Sequence, residues 1–141
     1  MKRPVVLSIR GRQIYLDQEP ELIELVTEGV MEQSGNGWDL CYEESALTGM
    51  EGVTTTFHTE GDRIVLTRSG KLHSQMVFEE GIFHESLYQM EFGALMITVC
   101  ATKVKVALDA QGGTIDLVYG IEIEQSEAGV IEYHLEIRTK E

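Results

Sequence analysis

The amino-acid sequence predicts an all-β protein, a closed antiparallel up-and-down (meander) β-barrel formed by residues 1–141 as a single domain. Two observations indicate this: turn signals recur at short intervals, and the residues between them alternate between apolar and polar. They define about eight to ten strands. An open sheet of that width would leave two exposed edges, and closure into a barrel removes them.

Every turn signal contains glycine, and several combine it with Ser, Asn or Asp, which also favour tight turns. They lie at 34–37, 60–62, 69–70, 80–81, 93, 111–113 and 128–129. Between them, the run from Ile115 to Ile123 shows the alternation most clearly, because its odd-numbered residues are apolar apart from the hydroxyl of Tyr119. The runs 5–9 and 131–137 repeat the pattern, as expected for strands with one face towards a core.

Residues 19–33 fit two interpretations. Glu19-Pro20-Glu21 suits the first turn of a helix, and Leu22, Leu25 and Val26 have helical spacing. Thr27, Gly29 and the Asn36-Gly37 turn signal that follows favour a strand instead. The residues by themselves leave both structures open.

The run from Gly93 to Ala107 is apolar on both faces until Lys103. Such a run predicts a strand that is buried on both sides. A neighbouring subunit is one means of covering its outer face, so a homodimer is a candidate assembly.

The charge of the chain bears on its partners. Eleven basic and 24 acidic residues give a formal net charge of -13, which disfavours nucleic acid and membrane surfaces as partners. The amino-terminal residues lack the apolar core of an export signal, and Cys41 and Cys100 form no C-x-x-C pair. We therefore expect a cytoplasmic protein with two buried, inert thiols.

Four longer motifs resemble a family of small bacterial proteins with a calycin-like, lipocalin-like β-barrel. The motifs are YEESALTGMEGVTTTF (42–57), TRSGKLHSQMVFEEG (67–81), HESLYQMEFGAL (84–95) and GGTIDLVYGIEI (112–123). The resemblance covers nearly the whole chain. It implies a calycin-like barrel and a strand at residues 21–34, and it implies no particular activity.

Arg68 is the most informative candidate for a site, because alternation places it on the same side as Ile64 and Leu66. A buried guanidinium requires a carboxylate or a ligand close by, and Glu44 is the natural partner. We therefore predict an interior ligand-binding cluster that mixes polar and apolar side chains. Its members are Tyr42, Glu44, Thr55, Arg68, Ser74, Met76, Phe78, Tyr88 and Tyr119.

Three alternatives compete with this prediction. In the first, Arg68 points outward beside its turn. In the second, the cluster is a structural salt bridge that closes one end of the barrel. The apolar walls expected for a pocket also fit ordinary core packing. These walls are Phe57, Leu66, Met76, Phe78, Leu87 and Met96.

The sequence contains no recognised catalytic constellation, cofactor motif or metal-ligand spacing. The tightest group is Glu79-Glu80 with His84-Glu85, which could approach across a hairpin as a metal site but is better explained as a solvated acidic turn. We therefore expect no cofactor, no metal and no catalytic residue. The leading hypothesis is binding of a small, partly apolar ligand. The alternative is an interaction protein with a packed barrel that acts through its outer surface or a dimer face.

Overall fold

The computed structural model describes residues 2–15, 19–45, 50–90, 93–124 and 126–140, and these residues contain ten β-strands and no helix. The strands are β1 (Lys2–Tyr15), β2 (Glu21–Ser34), β3 (Gly37–Glu43), β4 (Val53–Glu60), β5 (Arg63–Gly70), β6 (Ser74–Phe78), β7 (Phe83–Met90), β8 (Gly93–Asp109), β9 (Gly112–Ile123) and β10 (Ser126–Thr139). Across the described part of the chain, no helix is long and apolar enough to cross a membrane.

All ten strands form one antiparallel sheet in the order β6-β5-β4-β3-β2-β1-β10-β9-β8-β7. Consecutive strands are neighbours, and the pairing of β1 with β10 joins the two halves of the meander. The sheet curls so that its end strands, β6 and β7, meet. The predicted all-β up-and-down barrel is therefore confirmed, and it is nearly closed.

Closure between β6 and β7 depends on single bridges instead of a continuous ladder. His73 and Gln89 exchange two backbone hydrogen bonds, with N···O distances of 2.9 and 2.8 Å. Further along, the N–H of Gly81 donates to the carbonyl oxygen of Ala101 at 2.9 Å. These few bonds bring the end strands together and enclose the interior.

Residues Glu21–Ser34 form a strand, so the helical interpretation of this window is wrong. Ile23 and Leu25 face inward, and Leu22 and Val26 are 73% and 68% exposed on the outside. The helical spacing therefore came from mixing residues of both faces. β2 pairs with β1 along nearly its whole length, from the pair Lys2 and Glu32 to the pair Gln13 and Glu21. This long ladder fixes the extended conformation of β2.

The core fills the part of the barrel away from the cavity described below. Its side chains come from alternate positions of the strands, as the period of two requires. Phe78 and Tyr119 make the closest aromatic contact, with ring centroids 4.4 Å apart. The largest fully buried side chains are Phe78, Leu7, Met31, Leu40, Ile64, Leu66, Ile115, Leu117 and Leu135.

On β8, only the inner face is fully buried. Ile97 and Val99 point inward, while Met96 and Cys100 on the outer face are half-buried. Within one chain the outer face of β8 is thus only partly covered, and its burial by a neighbouring subunit stays a prediction. Cys41 and Cys100 are both free, as expected, but each is half-buried and not fully enclosed.

Gly70 ends β5 two residues after Arg68 and has a structural role that another residue cannot fill. Its φ is +118°, and a Cβ built there would lie 2.2 Å from the carbonyl oxygen of Gly52. Gly61 lies in the turn between β4 and β5 and has a φ of +60°. A Cβ built at Gly61 would have no heavy atom within 4 Å outside its chain neighbours. Gly70 therefore combines a conformational and a steric requirement, whereas Gly61 has only the first.

We predict that Gly70→Asn lowers the free energy of unfolding by about 2 kcal/mol or more, because both backbone strain and a clash result. Gly61→Asn is the matched control, since Asn tolerates the left-handed region, and its loss should stay below about 1 kcal/mol. Urea denaturation of the two variants measures the difference. Equal losses would contradict the role assigned to Gly70.

Candidate functional site

A cavity of about 290 Å³ lies inside the barrel. Its wall is mostly apolar, and the apolar residues come from β1, β2, β6, β8, β9 and β10 and the loop before β4. They are Ile9, Ile23, Leu25, Met50, Met76, Leu95, Ile97, Ile121, Ile123 and Ile131. The centre of the barrel is thus not completely filled by its own side chains.

All five tyrosines of the chain line this cavity. They come from five different strands and are Tyr15, Tyr42, Tyr88, Tyr119 and Tyr133. A tyrosine offers an apolar ring and a hydroxyl that donates or accepts a hydrogen bond. The cavity therefore combines an aliphatic wall with a set of phenol groups.

Arg68 enters the cavity from β5, where Ile64 and Leu66 of the same face are fully buried. Its side chain is half-buried, and its Nε is buried without a hydrogen-bond partner among the described residues. Burial alone would lower the pKa of Arg68, but Tyr133, Tyr119, Tyr42 and Glu44 together raise it. The guanidinium therefore stays charged in its partly desolvated position.

Glu44 also lines the cavity and is buried, with a carboxylate held by hydroxyl groups. Thr55 Oγ1 donates a hydrogen bond to Glu44 Oε2 at 2.5 Å. The Tyr42 hydroxyl is a second hydrogen-bond donor to Glu44, and burial together with this carboxylate raises the pKa of Tyr42. Tyr42 is therefore a neutral phenol at ordinary pH, and Glu44 has a fixed orientation.

Ser74 lies directly opposite Arg68 in the pairing of β5 with β6. Its Oγ is buried and, like Arg68 Nε, has no hydrogen-bond partner in the described part of the chain. Residues that face each other across an antiparallel pair have neighbouring side chains on the same face. The two unsatisfied groups therefore belong to adjacent side chains at the same end of β5.

A profile of the family described as "Domain of unknown function (DUF1934)" matches residues 7–137. The chain belongs to the DUF1934 family. Every residue that lines the cavity falls within the matched region. The crystal structure of ywiB protein from Bacillus subtilis has a similar fold, with a TM-score of 0.87 and 21% sequence identity over 99% of this chain and 94% of that chain. A search of curated proteins found no match.

In this DUF1934 protein, six of the nine predicted ligand-binding residues line the cavity: Tyr42, Glu44, Arg68, Met76, Tyr88 and Tyr119. Thr55 and Ser74 lie immediately behind them, against Glu44 and beside Arg68. Phe78 is core and contacts Tyr119 from outside the cavity. The structure thus brings most of the cluster together, and the binding role of these residues stays a prediction.

Most of the residues predicted to form the apolar walls do not line the cavity. Phe57, Leu66 and Phe78 are buried, but they pack in the core and do not line the cavity. Leu87 was placed on the wrong face, because it is 48% exposed on the outside of β7. Met96 lies on the outer face of β8. Among the expected wall residues, only Met76 faces the cavity.

Sequence analysis missed several polar or polarizable residues of the wall. They are Gln13, Tyr15, Met50 and Tyr133. Alternation could have identified Tyr133, since it shares a face with Ile131 and Leu135. Gln13 and Tyr15 continue the odd-numbered face of Val5, Leu7 and Ile9, so alternation along β1 could have placed them inside as well. Tyr15 OH donates to Gln13 Oε1 at 3.1 Å, which holds both at the cavity.

The acidic turn around Gly81 contains a local contact between charged side chains. His84 Nε2 lies 3.1 Å from Glu79 Oε1, and Arg63 Nε lies 3.6 Å from the same oxygen. Within the described ranges, no three His, Cys, Asp or Glu side chains are arranged to hold a metal ion. These residues form a surface ion pair network.

Two histidines on the outer surface have nearly identical surroundings. In each, Nδ1 contacts an aspartate on the neighbouring strand, and Nε2 lies 3.3 Å from a glutamate two residues along the same strand. The groups are His58 with Asp39 and Glu60, and His134 with Asp116 and Glu136. In both, the hydrogen bond to the aspartate is the main cause that raises the histidine pKa.

We predict that these histidines stabilise the protein at low pH. Because their pKa is raised on folding, their contribution is complete below the unfolded value of about 6.5 and is lost as pH rises through the folded pKa. The unfolding free energy of wild type minus that of the double variant His58→Gln, His134→Gln should therefore be larger at about pH 5.5 than at about pH 9. The effect should be small and reduced by salt, since both groups are partly exposed.

Urea denaturation at each pH gives the two differences. His73→Gln is the control, because His73 is exposed and forms no ion pair with the described residues. If the unfolding free energy of wild type minus that of the double variant is larger at the higher pH, the sign is opposite to the one expected, and the stabilising role of the two histidines is contradicted.

Proposed function

We propose that the barrel interior binds a small, partly apolar ligand and that Arg68 and Glu44 form the polar end of the site. The observation that carries this proposal is a mostly apolar cavity whose wall contains two opposite charges, the guanidinium of Arg68 and the carboxylate of Glu44. Charged groups in such surroundings are costly unless they are paired and hydrogen-bonded. The polar head of a ligand in the cavity would add hydrogen bonds to this end of the wall.

The dimensions of the cavity support a small molecule. At about 30 Å³ for the liquid volume of one water, a cavity of about 290 Å³ has room for a molecule of roughly ten non-hydrogen atoms. Small-molecule sites begin at about 300 Å³, so this cavity lies at the lower end of the range. The ligand we propose is therefore compact.

The lining also has the composition of a small-molecule site, since such sites are mostly apolar with a few convergent polar groups. Ten aliphatic side chains form the wall, and Arg68, Glu44 and the phenol groups provide the polar contacts. The calycin-like character that the sequence motifs indicate is part of this proposal, because barrels of eight or so strands can enclose one small ligand. The strongly acidic composition supports a cytoplasmic protein without nucleic-acid or membrane partners.

A fragment screen by saturation-transfer NMR tests the proposal with compounds of roughly ten non-hydrogen atoms, both neutral and charged. We expect several compounds to bind and to compete for one site. Ile131→Trp, which fills the cavity, should abolish their binding. Val130→Trp is the matched control, because Val130 is the neighbouring residue on the outer face of β10.

Two results would contradict the proposal. One is a screen without any binder. The other is a set of binders that remains bound to Ile131→Trp, provided that its circular dichroism and melting temperature show a folded barrel. Either result would place the function outside the barrel interior.

A second candidate function is self-association through the outer face of β7 and β8. Ile82, Phe83 and Leu87 are 47%, 67% and 48% exposed. Phe83 pairs with Cys100 and Leu87 with Met96, so apolar side chains of two strands form one outer patch. A second copy of the chain, carrying the same patch, would cover it by twofold symmetry.

If this patch forms a dimer, Phe83→Glu should convert the protein to a monomer, because it places two like charges in the interface. Multi-angle light scattering at high micromolar concentration measures the mass. Thr67→Glu is the control, since Thr67 is exposed on the outer face of β5. A wild-type protein that stays monomeric under these conditions would remove the second candidate.

A further inference from the structure

We infer that the cavity selects a ligand with a neutral oxygen acceptor, such as the carbonyl of an amide or ketone, and discriminates against a carboxylate of the same shape. This inference rests on the proposed function and specifies the chemistry of its ligand. It follows from the charges in the lining, from the hydrogen-bond donors that the lining offers, and from the neutral state of the surrounding phenols.

The charges come first. Among the described lining residues, Arg68 is the single cation and Glu44 the single carboxylate. Both lie in the same wall, so one positive and one negative charge leave the lining without a net charge. A carboxylate ligand would give the site two anions for one cation in a poorly solvated space.

The polar part of the lining offers hydrogen-bond donors to a ligand oxygen. Arg68 and the tyrosine phenols line the cavity, and guanidinium and phenol groups both donate hydrogen bonds. A neutral carbonyl can accept them without adding charge to the site, so its burial costs less desolvation than that of a carboxylate.

The tyrosine phenols do not change the net charge of the lining. Burial raises the pKa of Tyr42 and of Tyr119, so both remain neutral at ordinary pH. Their rings contribute apolar and aromatic surface on which a planar ligand body can pack. The ligand that fits these observations is a compact apolar or aromatic molecule with one neutral carbonyl group.

Two probes that differ only in the head group test the inference: 3-phenylpropanamide and 3-phenylpropanoate. Isothermal titration calorimetry at neutral pH gives both dissociation constants. We expect the amide to bind wild type at least about tenfold more tightly than the carboxylate, the scale of one hydrogen bond to a charged group.

Glu44→Gln separates charge balance from general desolvation, because any apolar cavity disfavours an ion. The substitution keeps the shape and the acceptor oxygen that Thr55 and Tyr42 require, and it removes the negative charge. The positive charge of Arg68 then has no opposite charge in the described lining. The ratio of the two dissociation constants that favours the amide should therefore fall by about tenfold, or the preference should reverse. The carboxylate should bind this variant more tightly than it binds wild type.

The outcomes distinguish the inference from the proposed function. A wild-type preference for the carboxylate, or an amide preference that Glu44→Gln does not change, would overturn the inference and leave binding in the barrel interior intact. Binding of cavity fragments without binding of either probe would also overturn the inference. If no compound of the fragment screen binds, the proposed function itself fails.

Discussion

The partly buried guanidinium of Arg68 is the constraint on which the interior of this barrel depends. Alternation along β5 fixes its direction, because Ile64 and Leu66 occupy the same face and are fully buried. A charge in that position requires polar neighbours, and the tyrosine phenols and Glu44 provide them. The space around these groups is left unfilled, which explains why a barrel with a well-packed core at one side retains a cavity at the other.

The same sequence pattern occurs on two hairpins and places side chains both on the outer surface and in the interior of the barrel. The sequence Asp-Leu-x-Tyr occurs at 39–42 and at 116–119, and an aromatic-His-x-Glu sequence occurs at 57–60 and at 133–136. Since successive residues of a strand point to opposite faces, each aspartate meets its histidine outside while Tyr42 and Tyr119 point into the cavity. The same period of two therefore builds an outer ion pair and an inner phenol from one short motif.

The sequence predicted most of the fold and about two thirds of the candidate cluster, because both follow from alternation. It failed where alternation carries no information. Leu87 was placed on the wrong face, since apolar residues occupy both sides of the region around β7 and β8. The bridges by which β6 meets β7 depend on how ten strands curl in space, which no local pattern encodes.

The acidic surface and the electrically balanced interior favour the same class of ligand. A net charge of -13 produces a negative field around the molecule, which lowers the local concentration of anions and slows their entry. A carboxylate would meet this barrier outside and the carboxylate of Glu44 inside. A neutral molecule meets neither of these anionic barriers, and it can accept hydrogen bonds from the guanidinium and phenol groups of the lining. Long-range and short-range electrostatics thus reinforce each other, and salt should weaken the first far more than the second.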